Sequence, residues 1–223
     1  MKILLRSALA ALVFLPVYAP GAIYLYNIGT TYSGTSPAGA APWATATFTD
    51  VGNNQVQLDM QTHGLTGNEF IGAWYFNFSP VGNLADLTFA RLTSPNPGTT
   101  AVEKGSNVFS AGGGGRYDIV FDFPESVPDG RFTTGLTTSY LIGSTSVLDA
   151  SMFNFLSSPQ GGNGTWYTAA HVQSIGKYGD DSGWIGANVN TPVPEPTTYL
   201  LLGSLLVAVG TLRWFRNTKK RAS

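Results

Sequence analysis

The chain has 223 residues, which is enough for one domain of ordinary size together with targeting segments. It contains no cysteine, and this excludes disulfides, thiolate metal sites and a cysteine nucleophile within the chain. All thirteen acidic residues lie between Asp50 and Glu195, but only five of the twelve basic residues lie between Ala22 and Pro196, which gives this middle stretch a net charge of −8. Because such a stretch repels nucleic-acid phosphates, the sequence predicts no nucleic-acid partner.

The first residues have the three-part layout of a secretory signal peptide. Lys2 and Arg6 form a basic start, residues 7–18 form an apolar run, and small residues follow it. The run is short for a permanent membrane anchor, which is the alternative interpretation. We therefore predict a signal peptide over residues 1–21, with the Sec translocon and signal peptidase as the partners of export.

Residues 22–190 are predicted to form one all-β domain. Gln55–Gln61 alternates between polar and apolar residues, and Tyr117–Phe123 places its apolar residues on one face. Clusters of Gly, Pro and Asn separate these two runs from further strand candidates, which are Ala44–Val51, Glu69–Phe78, Ala85–Leu92, Phe132–Ile142 and Ala169–Gly176. Many short strands spaced in this way favour an antiparallel β-sandwich with a jelly-roll-like arrangement.

A stretch of this length can bury a core of its own. The predicted core members are Phe76, Phe78, Ile119, Phe121, Leu136 and Leu141. Ser151–Leu156 is the one place in the stretch where we predict a helical turn.

The middle stretch does not indicate a catalytic centre. Its two histidines, His63 and His171, are not accompanied by the Gly-x-Ser-x-Gly motif of a serine hydrolase, and His171 is interpreted as a structural or surface residue. Asp118 and Asp122 would lie about 13 Å apart along one strand, whereas glycosidase carboxylates lie about 5–9.5 Å apart. We interpret these two aspartates as part of a solvated strand face. A catalytic pair formed by carboxylates from separate strands stays open as an alternative.

No metal or cofactor is predicted either. Asp180 and Asp181 lack the repeated spacing of a calcium loop, so a polar turn is the simpler interpretation. Residues 112–115 are four glycines, but no Gly-Lys-Ser/Thr follows them as in a phosphate-binding loop. A flexible hairpin connection explains them better.

Aromatic side chains are the candidates for ligand contact, because tryptophan and tyrosine can stack on the apolar faces of sugar rings. Trp166 and Tyr167 lie in a stretch rich in Gly and Asn, and Trp184 follows in the next strand candidate. We predict these three residues as glycan contacts, with packing in the core as the alternative for each.

The end of the chain, residues 191–223, is organised differently. Three prolines prevent a helix through 191–195, and residues 197–212 then form an uncharged run of about 24 Å as a helix. Because a long basic side chain can snorkel, we predict a transmembrane helix over 197–215 and a basic tail over 216–223. The topology signal consists of Arg213, Arg216, Lys219, Lys220 and Arg221. The positive-inside rule keeps it cytoplasmic and places the acidic middle outside.

The four residues Val193, Pro194, Glu195 and Pro196, followed by one apolar helix and a basic cluster, resemble the PEP-CTERM sorting signal. Proteins with this signal are exported by Gram-negative bacteria, many of which make exopolysaccharide. The resemblance covers residues 193–223 and implies processing near the motif by an exosortase, a membrane-embedded enzyme resembling cysteine transpeptidases.

A second resemblance lies in the middle stretch. Ala169–Gly176, followed by Ser182–Gly186, is similar to the closing strands of many PEP-CTERM ectodomains. This similarity covers about 20 residues and implies a shared type of β-sandwich.

Together these features predict an exported, non-catalytic protein of the cell surface or extracellular matrix, associated with exopolysaccharide in a biofilm. It would be anchored transiently in the inner membrane with its C-terminus in the cytoplasm, and then processed. Two alternatives stay open: a secreted carbohydrate-active hydrolase on the same fold, and a membrane-anchored protein that is never processed. Convergent carboxylates in a groove would favour the hydrolase, and a flat surface with exposed tryptophans would favour binding.

Overall fold

A computed structural model describes residues 21–93, 97–99, 101–126 and 130–193, with the backbone alone for 190–193. Its strands form two antiparallel sheets. In spatial order the six-stranded sheet consists of β13 (Asn190–Val193), β1 (Ile23–Ile28), β3 (Ala44–Gly52), β4 (Gln55–Thr62), β10 (Thr137–Gly143) and β6 (Thr88–Arg91). The seven-stranded sheet consists of β2 (Thr30–Gly34), β12 (Asp181–Ala187), β11 (Thr168–Ile175), β5 (Phe70–Phe76), β8 (Arg116–Asp122) and β7 (Ala101–Ser110), with β9 (Phe132–Thr133) also paired to β5. The predicted all-β antiparallel sandwich is confirmed.

Alternation along the strands explains the core of the sandwich. Val56, Leu58 and Met60 of β4 are all fully buried, as a period of two predicts for a strand with one face inward. Aromatic rings fill much of the space: Phe48 stacks on Phe153 at 4.5 Å between ring centroids and meets Phe76 edge-on at 5.2 Å. Such contacts add to the stabilisation that burial alone provides.

Most of the predicted core residues are buried. Phe76, Phe78, Ile119 and Phe121 belong to the core cluster, and Leu136 packs against it while partly buried. The prediction was wrong for Leu141, which is only partly buried. Its neighbours Tyr140 and Ile142 are buried instead, because the alternation of β10 turns those two side chains inward.

Several predicted boundaries are corrected by the structure. Phe132–Ile142 is not one strand, because a turn containing Gly135, with φ of +78°, separates β9 from β10. The start of Ala85–Leu92 is not extended either: Leu84–Asp86 is a 3-10 helix whose capping residue Asn83 accepts a hydrogen bond from the backbone N–H of Ala85. The predicted helical turn is a 3-10 helix over Ala150–Phe153.

Strands β1, β2, β7 and β13 were not predicted. β7 forms one edge of the seven-stranded sheet, and most of its side chains are exposed, so its sequence lacks a clear alternation. β13 pairs with β1 so that Val193 lies opposite Ile23, and the six-stranded sheet therefore extends beyond the predicted domain end at residue 190.

Within the described ranges, no helix is long and apolar enough to cross a membrane. The predicted helix over 197–215 and basic tail over 216–223 lie outside these ranges, as does the predicted signal peptide over 1–21 except for Gly21.

Candidate ligand-binding face

One row of residues crosses four neighbouring strands of the seven-stranded sheet. Trp184 of β12 lies opposite His171 of β11, His171 lies opposite Ala73 of β5, and Ala73 lies opposite Asp122 of β8. Since side chains alternate along a strand, this row faces away from the core that holds Trp74 and its neighbours. Neighbouring strands lie about 4.8 Å apart, so His171 and Asp122 are separated by about 10 Å across the small side chain of Ala73.

Further polar and aromatic side chains surround this row on the same side of the sheet. Tyr75 lies two residues along β5 from Ala73, and Gln173 lies two residues along β11 from His171. We call this surface the aromatic–acidic face, and it consists of Tyr75, Glu103, Asp122, Glu125, His171, Gln173 and Trp184 around Ala73.

The aromatic half of the face is built by contacts among three partly exposed rings. His171 stacks on Trp184 with 4.4 Å between ring centroids and 17° between ring planes. Tyr75 approaches Trp184 at 5.5 Å with a tilt of 53°. Gly112, with φ of +50°, lies against the indole so closely that a Cβ there would be 2.3 Å from Cγ of Trp184. The loop between β7 and β8 therefore holds the indole in place and requires a glycine to do so.

The acidic half of the face surrounds Asp122. Asp122 lies opposite Ala101 of β7. Glu103 is two residues further along β7, on the same face as Ala101, and is therefore the diagonal neighbour of Asp122. The Glu125 carboxylate accepts a hydrogen bond from the Gln173 amide, and a Cβ on Gly72 would collide with both groups. Arg131 donates from Nε to the Glu125 carbonyl oxygen at 2.7 Å. Three carboxylates therefore converge here, and one arginine contacts the backbone beside them.

The electrostatic couplings agree with this arrangement. Burial, and then the negative charges of Glu103 and Glu125, raise the pKa of Asp122 above its ordinary value. Burial lowers the pKa of His171, although the nearby Glu125 carboxylate opposes this shift. Burial, followed by the charges of Asp122 and Glu125, raises the pKa of Tyr75 to about 12. The carboxylates thus lie close enough to one another and to the rings to interact.

The three predicted glycan contacts are separated by the structure. Trp184 lies on the aromatic–acidic face and is partly exposed. Trp166 is only 7% exposed, because its ring stacks on Tyr32 at 4.9 Å. Tyr167 is partly buried and approaches Tyr26 at 5.7 Å. Of the three residues, Trp184 is therefore the one whose position suits contact with a ligand.

Asp118 does not lie on a solvated strand face, and that interpretation was wrong for this residue. Its side chain is buried at 7% exposure. Oδ2 accepts from the backbone N–H of Phe78 at 2.9 Å, and Oδ1 accepts from that of Asn107 at 2.7 Å. The two acceptors of one carboxylate thus join the segment after β5 to the irregular part of β7, which is a structural role. Asp122 is partly exposed, as expected.

The remaining candidate residues lie elsewhere. His63 is exposed in the loop after β4, and Asp181 begins β12. The four glycines at 112–115 connect β7 and β8, which confirms the predicted hairpin connection. No group of three or more histidine, aspartate or glutamate side chains in the described part of the chain is placed to hold a metal ion.

The predicted sorting motif is described only at its start. Val193 is the last residue of β13. Outside the described residues lie Pro194, Glu195, Pro196, Arg213, Arg216, Lys219, Lys220 and Arg221.

No family model, curated protein or solved structure matches the chain. The fold defines it as an antiparallel all-β sandwich protein, and the case for a binding site rests on the geometry of the aromatic–acidic face.

Proposed function

We propose that this chain is an exported, non-catalytic protein of the cell surface or matrix, which an exosortase processes and which associates with exopolysaccharide. The observation that carries the proposal is the order of parts in residues 193–223: the Val-Pro-Glu-Pro motif, an uncharged run long enough for a membrane helix, and five basic residues. A signal peptide over residues 1–21 would start export. The C-terminus would stay in the cytoplasm until the protein is processed, and the domain would then reach the surface or the medium.

The position of the motif supports this function. The last described strand ends at Val193, so the motif begins at the last residue of the folded sheet. β13 is an edge strand that already contains Pro192, and Pro194 and Pro196 likewise have no backbone N–H to donate to a neighbouring strand. A peptide-cleaving enzyme needs backbone groups that are not already paired within a helix or sheet. The jelly-roll-like strand order, the signal peptide and the C-terminal helix are further parts of the proposal.

The sorting step is tested by replacing Glu195 with Ala in an exosortase-bearing host. We expect more full-length, membrane-bound protein, measured by immunoblotting of membrane and medium fractions against an epitope placed in the exposed hairpin turn at Asn53. Asp180→Ala is the matched control, because it removes an exposed carboxylate from the domain and leaves the motif unchanged. Unchanged processing of the Glu195 variant would contradict the proposal and would favour a membrane-anchored protein that is never processed.

A hydrolase on the same fold is the second candidate, and one observation favours it. Diagonal neighbours on paired strands lie about 7–8 Å apart, and Asp122 and Glu103 are such neighbours. Inverting glycosidases place their carboxyl groups about 6.5–9.5 Å apart and use an acid with a raised pKa, as Asp122 has. Release of reducing ends from sugar oligomers, lost in both Asp122→Asn and Glu103→Gln, would support this function. If no reducing ends are released, the hydrolase is excluded for these oligomers and the non-catalytic proposal is retained.

A further inference from the structure

The geometry points to the aromatic–acidic face as a binding site for a polysaccharide that carries protonated amino groups, that is, a partly deacetylated amino-sugar polymer. This inference deepens the proposed function and rests on it for the biological setting, because it names the chemical class of the polysaccharide. The binding itself depends on the face alone, and can be measured whether or not the chain is sorted.

The shape of the face suits a sugar ring. Ala73 forms a low floor between His171 on one side and Asp122 on the other, about 10 Å apart across two strand spacings. The stacked rings of His171 and Trp184, with Tyr75 beside them, form an apolar wall along this floor. A sugar ring has an apolar face that can lie against such rings and hydroxyl groups that remain free to reach polar neighbours.

The charge of the face selects among polysaccharides. Asp122 lies within interaction range of Glu103 and Glu125, and Arg131 donates to the backbone carbonyl oxygen of Glu125 beside them. Charge-assisted hydrogen bonds from an ammonium group to carboxylates are about twice as strong as neutral ones. The same carboxylates would repel a polymer with uronic or sulfate groups, and the net charge of −8 on the surrounding stretch adds to this repulsion. The face therefore fits a cationic sugar polymer better than an anionic one.

The aromatic wall adds to this preference. A cation within about 6 Å of the face of a tryptophan or tyrosine ring is attracted by the ring electrons. An ammonium group lying over Ala73 would have Tyr75 and His171 on one side and Asp122 on the other. A simple polycation without sugar rings would meet the carboxylates, but it would gain little from the apolar wall.

Two side chains of the face are fixed before any ligand arrives. The backbone of Gly112 and the ring of His171 hold Trp184, and the Gln173 amide holds Glu125 above Gly72. Fixed side chains lose less conformational entropy on binding, which favours affinity.

The test measures binding of the full-length chain in mild detergent by isothermal titration calorimetry. Three oligosaccharides of equal length are compared at mildly acidic pH: glucosamine, N-acetylglucosamine and galacturonic acid oligomers. We expect the glucosamine oligomer to bind most tightly, the acetylated oligomer weakly and the acidic oligomer not at all. Equal binding of all three, or tightest binding of the acidic one, would overturn the inference.

Substitutions distinguish specific binding at the aromatic–acidic face from general electrostatic attraction of a cationic polymer to an acidic protein. Asp122→Asn is expected to weaken glucosamine-oligomer binding by about tenfold, and Trp184→Ala by about three- to tenfold. Asp180→Asn removes one exposed carboxylate elsewhere, and Tyr178→Ala removes an aromatic ring that is 81% exposed, so both controls should bind as the wild type does. Circular dichroism of each variant confirms that it has folded.

An oligolysine of similar charge tests whether the face attracts any polycation, with or without sugar rings. If it binds as tightly as the sugar, and Trp184→Ala weakens neither ligand, the face attracts polycations in general and the inference is wrong. If Asp122→Asn has no more effect than Asp180→Asn, the inference is likewise wrong. These outcomes are independent of processing at Glu195, so they leave the sorting proposal untouched.

Discussion

The two faces of the seven-stranded sheet are built from alternate residues of the same strands, but they differ in chemistry. The inner face of β5 carries Trp74 and Phe76, which are at most 1% exposed and surrounded by apolar side chains. The outer face of the same strand carries Ala73 and Tyr75, beside carboxylates and a histidine. Burying a charged carboxylate costs free energy that burying an apolar ring does not, so the outer face should contribute less to stability than the inner face.

Substitutions on the inner face should therefore act mainly on stability, and those on the outer face mainly on binding. Large effects on stability are expected on the inner face, where each removed ring leaves a cavity. On the outer face, effects on stability should be smaller, and effects on ligand binding should dominate.

The largest expected effect is on the inner face. Phe121 is fully buried and contacts Phe76 edge-on at 5.8 Å and Tyr140 at 5.0 Å. Phe121→Ala should lower the free energy of unfolding by about 3–5 kcal/mol, measured by urea unfolding with tryptophan fluorescence. Tyr178→Ala is the control, and it should change that free energy by no more than about 0.5 kcal/mol. Similar losses in the two variants would contradict the assignment of the core.

The next effect concerns the loop that holds Trp184. Gly112 and Gly162 both have positive φ, but a Cβ at Gly112 would strike the indole, whereas a Cβ at Gly162 would meet nothing within 4 Å. Gly162→Ala should cost about 1–2 kcal/mol of backbone strain. Gly112→Ala should cost about 1–3 kcal/mol more, because it also displaces Trp184. Equal unfolding free energies for the two variants would show that Gly112 does not hold the indole.

A smaller effect is expected where a polar side chain has a structural role. Asp118→Ala would leave the buried backbone N–H of Phe78 and the partly buried N–H of Asn107 without their acceptor. The free energy of unfolding should fall by about 1–3 kcal/mol, measured by the same urea titration. Asp180→Ala, which changes an exposed carboxylate, should be almost neutral. A neutral Asp118 variant would restore the original interpretation of this residue as part of a solvated face.

The smallest effect is the pH dependence that His171 gives to stability. Burial lowers its pKa below the ordinary value of 6.5, so the folded protein favours the neutral ring. This contribution to stability is fully present above that value and is lost as the pH falls through the lower pKa of the folded state. The groups that face the ring are Trp184 of β12, Glu125 and the neighbouring Gln173.

The raised pKa of Asp122 gives stability the opposite pH dependence, because the folded protein favours the protonated carboxyl. The measurement therefore compares wild type with His171→Gln, since the contribution of Asp122 is the same in both proteins and cancels. Urea midpoints between pH 7.5 and 5 should fall more steeply for the wild type. Parallel midpoints would show that the His171 ring is not desolvated by the face.

The inner face could be predicted from the sequence, and most of the outer face could not. Regular alternation of apolar residues in the sequence identified β4 and β8. The burial of β4 follows that alternation, whereas residues 117–121 of β8 are all buried. β7 was missed, since an edge strand with little burial has no such alternation. The turn at Gly135 was missed because threonines, which favour strands, lie on both sides of it.

The candidate site escaped prediction because it depends on the register between distant strands. Trp184 and His171 were both noted in the sequence, but nothing local places one opposite the other, or Asp122 two strands further across the sheet. Trp166 and Trp184 look alike in the sequence, but Tyr32 stacks on Trp166 and the Trp166 indole donates to the Asn163 carbonyl, contacts between distant and local segments that the sequence does not show. Asp118 was misjudged because its partners, the N–H groups of Phe78 and Asn107, come from other segments.

The intact mass of the protein, recovered from the surface and medium of an exosortase-bearing host, tests the central claim most directly. We expect a chain that begins close to Ala22 and has lost the residues that follow the motif at Val193–Pro196, including the five basic residues of the topology signal. A recovered protein that still extends to Ser223 would contradict the account, because its C-terminal segment would then be a permanent part of the protein.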